Sequence, residues 1–142
     1  MTDRAPIAPA APSHQTTIQV RYAETDQMRY VYYANHLIYW EVARTECLAA
    51  WGFPYQDLEA QGYAIPVLQA HCDYLSPARY GDTLVVVASA SMVDRLRMRF
   101  DYLTHRGSPE GALIAKGWTV HVCMAPDGRP RRPLQALADR FA

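Results

Sequence analysis

Two acids flank a threonine in the segment Glu24-Thr25-Asp26, within a tyrosine-rich stretch that reads RYAETDQMRYVYYAN from position 21. A carboxylate in such a loop has two uses. It satisfies backbone amides of its own turn, as Asp often does, or it stays free to attack or deprotonate a reacting group. Glu41 and Arg44 lie three apart in an apolar run, where unpaired charge is costly. Their pairing, with each other or across to a second copy, is the plain reading. The remaining reactive types are scattered. Cys47, Cys72 and Cys123 are odd in number and lack CxxC spacing, which suits buried, reduced thiols of a cytosolic protein better than zinc or a redox pair. His36, His71, His105 and His121 show no metal-like spacing and are expected to be structural or exposed. Arg129, Arg131 and Arg132 stand together, either as a grip for phosphate groups or as an ordinary solvated loop. No Gly-rich phosphate loop, HExxH or GxSxG motif is present.

The elements that must position these residues follow from periodicity. Thr17 to Tyr22 alternates, Ile18, Val20 and Tyr22 against Thr17, Gln19 and Arg21, as a half-buried strand does. After the acidic loop, Asn35 to Trp51 runs without Gly or Pro and stops at Gly52 and Pro54, which predicts a helix. That helix is apolar almost all round, so protein must wrap it. A short helical piece is expected over Tyr55 to Gln61. Four strands follow, at about 64–74, 83–92, 96–104 and 112–124, the third alternating Leu96, Met98, Phe100 and Tyr102 against Arg97, Arg99 and Asp101. Short turns join the later strands, so the order is one strand, one helix, then an antiparallel meander. The tyrosines and tryptophan at positions 30, 32, 33, 39 and 40 either line a pocket or pack the core.

Length and charge limit the function classes. The 142 residues, half of them apolar, suffice for one domain with a real core. Fourteen basic and fourteen acidic residues leave no excess charge to draw the chain to nucleic acid or to an anionic membrane. Residues 1–15, rich in Ala and Pro, read as a flexible tail without the apolar stretch of a signal peptide, and 16–142 as a single domain. No segment approaches the roughly 18 apolar residues of a membrane span. A cytoplasmic location is expected.

The stretch from Arg21 to Arg44, RYAETDQMRYVYYANHLIYWEVAR, resembles the 4-hydroxybenzoyl-CoA thioesterase-like family, especially its short-chain acyl-CoA hydrolase branch. Pro77-Ala78-Arg79-Tyr80-Gly81-Asp82 is similar to that family too. The resemblance implies an α+β hot-dog fold, a long central helix wrapped by a curved antiparallel sheet of about five strands. It implies hydrolysis of a small aliphatic or aromatic acyl-CoA with Asp26 as the catalytic carboxylate and the backbone N–H of Tyr33, at the helix start, facing the thioester carbonyl. No cofactor is implied beyond the coenzyme A of the substrate. The partners implied are acyl-CoA, with an acyl-carrier protein as an alternative carrier, and further copies of the chain in a homodimer or homotetramer. Other branches of the fold place their carboxylate on the helix, which makes Glu41 the second candidate. Two other readings compete: a non-catalytic hot-dog protein that binds acyl-CoA or acyl-carrier protein, and a hydratase or dehydratase. The latter type usually pairs His with an acid, and no His adjoins Asp26 in the motif. The family pattern carries a glycine two or three residues after the catalytic Asp, where this chain has Met28 and Arg29.

Overall fold

The computed structural model describes residues 13–141. In chain order the elements are strand β1 (Ser13–Gln19), helix α1 (Ala34–Ala50), helix α2 (Tyr55–Ala60), strands β2 (Val67–Tyr74), β3 (Thr83–Met92), β4 (Arg97–Arg106), β5 (Leu113–Met124) and β6 (Pro130–Arg131), and helix α3 (Gln135–Phe141). The strands form one antiparallel sheet in the order β1-β3-β4-β5-β2, with β6 adding two residues beside β5. This is the hot-dog arrangement, α1 lying against a sheet of five long strands. Register shifts in β2 between Val67 and Gln69, and in β4 between Thr104 and His105, bend the sheet as bulges do.

The core forms where α1 meets the inward face of the sheet. Met98, Phe100 and Tyr102 of β4 are completely buried, as their alternation predicts. Trp40 of α1 stacks on Tyr102 with centroids 4.6 Å apart, and its indole N–H donates to the Thr104 hydroxyl at 3.0 Å. The hydrogen bond offsets the cost of placing a polar N–H at the centre of the core. Gly117 of β5 makes room for this. A Cβ there would collide with the His71 carbonyl across the β2–β5 ladder and would lie 2.7 Å from the Trp40 ring.

Four features differ from the sequence expectation. β1 begins at Ser13, directly after Pro12, so Ser13 to Gln15 pair with Ser89 to Val87 instead of belonging to a tail. The rest of that expected tail, residues 1–12, lies outside the described residues. Tyr22 leaves the strand for a 3-10 turn over Tyr22–Glu24, which the Glu24 carboxylate stabilises by accepting from the Arg21 N–H at 2.9 Å. Helix α3 lies beyond the elements that periodicity predicts, yet its Leu137 and Phe141 are buried, and Phe141 packs edge-on against Trp51 and Phe100. Arg99 and Asp101, on the outward face of β4, are also buried. Arg99 grips Asp101 through bonds of 2.9 to 3.2 Å and lies over the Trp118 ring at 4.8 Å. The pair compensates its own charge, so alternation of residue type survives although both faces are covered.

No helix among the described residues is long and apolar enough to cross a membrane. Replacing Gly117 by Ala is expected to cost about 1–3 kcal/mol, the range of an overpacked core with a forced backbone shift. Chemical denaturation should show the loss as a lower midpoint at unchanged slope.

Candidate active site

The chain between β1 and α1 turns back on itself twice. The Asp26 N–H donates to the Tyr30 carbonyl at 2.8 Å and the Arg29 N–H to the Asp26 carbonyl at 2.9 Å, closing a tight loop. The Glu24 carbonyl then accepts from the Tyr32 N–H at 2.8 Å and from the Asn35 side-chain amide at 2.9 Å, which ties the loop to the first turn of α1. The Glu24 carboxylate is held by the Arg21 N–H and guanidinium and by the Tyr39 hydroxyl at 2.8 Å. Burial alone would raise its pKa, but these hydrogen bonds outweigh burial and hold it below the ordinary carboxylate value. Glu24 thus works as a charged bracket for the loop.

Asp26 serves its own turn with one oxygen. Its Oδ1 accepts from the Met28 N–H at 2.9 Å and the Tyr30 N–H at 3.3 Å, while Oδ2 has no hydrogen-bond partner among the described residues. Arg29 stands in the left-handed region at φ 67°, alone in this among the described non-glycine residues. The conformation a glycine would adopt freely is therefore kept, with a side chain added.

Tyr33 caps α1 without any side-chain cap, at φ −53° and ψ −34°. Neither its N–H nor that of Ala34 has an acceptor among the described residues. These are the orphan donors of a 17-residue helix, at the positive end of its dipole. The Tyr33 carbonyl accepts from the Tyr74 hydroxyl at 3.2 Å, which fastens the helix start to the end of β2. Asp26, Tyr33, Val31, His36, Tyr74 and Leu75 line one cavity of about 300 Å³. Both predicted site residues therefore meet in one place. Asp26 also borders a wider groove of about 780 Å³, with Tyr22, Gln27, Arg29 and Tyr80 on its walls.

The other candidates are elsewhere. Glu41 and Arg44 line a separate cavity of about 360 Å³ with Tyr55, Ile65 and Phe100, and they pair at 3.8 Å. Arg131 is engaged over the Tyr63 ring at 3.9 Å and with its hydroxyl at 3.0 Å, while Arg129 pairs with Asp127, so the three arginines do not form one phosphate grip. His121 is completely buried between Thr119 and the Ile65 carbonyl, and burial pulls its pKa down to about 4. His71 meets Asp73 and His105 meets the Gly111 carbonyl. Burial pushes the Cys47 thiol up to about 12 and those of Cys72 and Cys123 to about 11, so none is a thiolate at neutral pH. No three of His, Cys, Asp and Glu gather as a metal site among the described residues.

His36 corrects the sequence reading. Although it is ten positions from Asp26 along the chain, the fold-back through Glu24 puts it in the same cavity. Its location near the start of α1 was visible, but the direction of the preceding loop was not. Absence of a nearby His thus ceases to argue against a hydratase, and relatives must decide the reaction class.

The thioesterase-like superfamily model matches residues 20–141. YneP of Bacillus subtilis, provisionally assigned as an acyl-CoA thioesterase, is 38% identical over 118 residues, 83% of each chain. The crystal structure of a DHNA-CoA thioesterase from Staphylococcus aureus is 32% identical with a TM-score of 0.79, covering 84% of this chain and 80% of that one. A mutant 4-hydroxybenzoyl CoA thioesterase complexed with 4-hydroxybenzoyl CoA superposes with a TM-score of 0.83 at 17% identity, covering 93% of this chain and all of that one, and so supports the fold alone.

Arg29→Gly is expected to raise stability by about 0.5–1 kcal/mol, because relief of the left-handed backbone exceeds the entropy that glycine adds to the unfolded chain. Thermal unfolding of the two proteins checks this.

Proposed function

The chain belongs to the thioesterase-like superfamily and is a thioester hydrolase, and from its site we propose that it releases coenzyme A from a small aliphatic or aromatic acyl-CoA, with Asp26 as the reacting carboxylate. One observation carries the reading: Asp26, whose Oδ2 has no partner among the described residues, and Tyr33, whose N–H at the helix N-terminus has no acceptor among them, both line one cavity. Attack on a thioester puts negative charge on the carbonyl oxygen. The Tyr33 N–H and the helix dipole receive that charge, a contribution of the kind made by an oxyanion donor, worth about 3 kcal/mol for a single N–H. Asp26 Oδ2 either attacks the carbonyl carbon, giving a mixed anhydride that water then opens, or takes a proton from a water that attacks directly. In both routes the thiolate of coenzyme A leaves and water supplies the new carboxylate oxygen. The chemistry needs neither metal nor organic cofactor.

The cavity volume lies at the lower end of the range for small-molecule sites, which suits a short or single-ring acyl group. An acyl-carrier protein presents the same thioester, and is the second carrier we assign to the site. The three free cysteines fit a reducing compartment such as the cytoplasm.

The assembly is proposed to contain at least two copies. β2 ends the sheet, with Val67 and Leu68 47% and 53% exposed, and the neighbouring face of α1 exposes Leu37, Ile38 and Val42. An apolar edge beside an apolar helix face is a surface that a second copy covers.

Asp26→Asn is expected to lower kcat at least 100-fold in a thiol-release assay over a panel of aromatic and aliphatic acyl-CoAs, while Glu41→Gln stays within about threefold of wild type. The reverse pattern would move the carboxylate to α1, and the absence of turnover on every thioester would favour an acyl-CoA binding protein. Light scattering on wild-type protein should return two or four chain masses of 16.1 kDa, and Leu68→Asp should shift the population toward one.

A further inference from the structure

One polar group in the Asp26 cavity has no task in hydrolysis. His36, two residues into α1, is only 4% exposed, yet neither ring nitrogen has a hydrogen-bond partner among the described residues, and its Nδ1 is fully buried. What surrounds the ring is aromatic: Tyr39 meets it edge-on at 5.9 Å and Tyr74 at 5.6 Å. His121 shows the contrast, being as deeply buried but bonded at both nitrogens. A buried polar group left unpaired costs about 1–3 kcal/mol. The chain meets this demand for His121 and leaves it unmet for the one histidine on the wall of the site.

Burial also holds the His36 pKa below its ordinary value and favours the neutral ring; with Nδ1 sealed off, Nε2 is the nitrogen a ligand can reach, and it donates or accepts according to tautomer. Around it the cavity is mostly apolar, through Val31, Leu75, Pro77 and Ala78. An apolar slot with one unspent imidazole matches a ligand that is apolar apart from one group able both to donate and to accept. A hydroxyl is such a group.

We propose that His36 is a specificity-determining residue, whose imidazole hydrogen-bonds a hydroxyl on the acyl group seated in the cavity between Asp26 and Tyr74. The inference rests on the thioesterase reading and deepens it. Hydroxylated acyl-CoAs are then preferred over their bare counterparts. A single neutral hydrogen bond in a desolvated site corresponds to a preference of about tenfold.

The test compares kcat/KM for matched pairs, the three ring isomers of hydroxybenzoyl-CoA against benzoyl-CoA and 3-hydroxybutyryl-CoA against butyryl-CoA. Wild type is set beside His36→Phe, which keeps a ring but neither donates nor accepts, and His36→Asn, which does both. Wild type should favour at least one hydroxylated member about tenfold or more, the Phe variant should bring that ratio to within about twofold of unity, and Asn should restore part of it. A wild type without preference, or a Phe variant that loses equally on both members of each pair, would overturn the assignment. Kd values for the same pairs, measured by calorimetry on Asp26→Asn protein with and without His36→Phe, give the ratio without turnover. Failure of hydrolysis therefore counts against the thioesterase reading, while equal Kd values for bare and hydroxylated ligands count against His36.

Discussion

The Glu24 carbonyl oxygen is where the site is assembled. It accepts both the Tyr32 N–H and the Asn35 amide, and so it is the joint between the end of β1 and the start of α1. Without it, the thirteen residues between Gln19 and Tyr33 have no fixed direction relative to the helix, and Asp26 and Tyr33 need not meet. The bracket continues through the side chain of the same residue, which binds Tyr39 one turn further along α1. Because Tyr39 is buried beside the core, the loop inherits its placement from the packing of α1 on the sheet. That packing depends in turn on Trp40 reaching Tyr102 over a glycine. The geometry of the chemistry is thus set by a chain of contacts from the centre of the core outward, as preorganised sites require.

Strain and exposure are concentrated at the same place. Arg29 takes a backbone conformation that costs a non-glycine residue about 1–2 kcal/mol, three positions from the proposed carboxylate. Its effect is to leave the loop path unchanged while putting a cationic side chain on the wall of the groove beside Asp26. The helix start is similarly unspent, with no side chain capping the N–H groups of Tyr33 and Ala34. Each of these features lowers stability locally and each faces the same cavity or groove, the pattern expected where local rules yield to function.

Much of this was legible from residue order alone. Period-2 alternation in β4 and the uninterrupted run of α1 gave both elements to within two residues, and the motif around Asp26 pointed to the two residues that share the cavity. What escaped was tertiary in origin. Helix α3 is short and carries only Leu137 and Phe141 as a buried signal, so its existence depends on the Trp51 and Phe100 rings it covers. Arg99 and Asp101 look like a solvated face because alternation reports residue type, whereas their burial comes from mutual pairing and from Trp118 on the adjacent strand. His36 was invisible as a site residue because its distance from Asp26 is set by loop direction, which no periodicity encodes.

In the proposed mechanism the two uses of a loop carboxylate belong to different oxygens of one residue. Oδ1 of Asp26 takes the Met28 and Tyr30 amides and so orders the turn, while Oδ2, the oxygen proposed to react, has no partner among the described residues. The two are coupled. Amides bound to Oδ1 fix the plane of the carboxylate, so the reacting oxygen is held in one direction before substrate arrives, and little rotamer entropy is lost on the way to the transition state. The other half of the proposed reaction is the oxyanion, and the N–H groups of Tyr33 and Ala34, acceptor-free among the described residues, are the donors proposed to stabilise it.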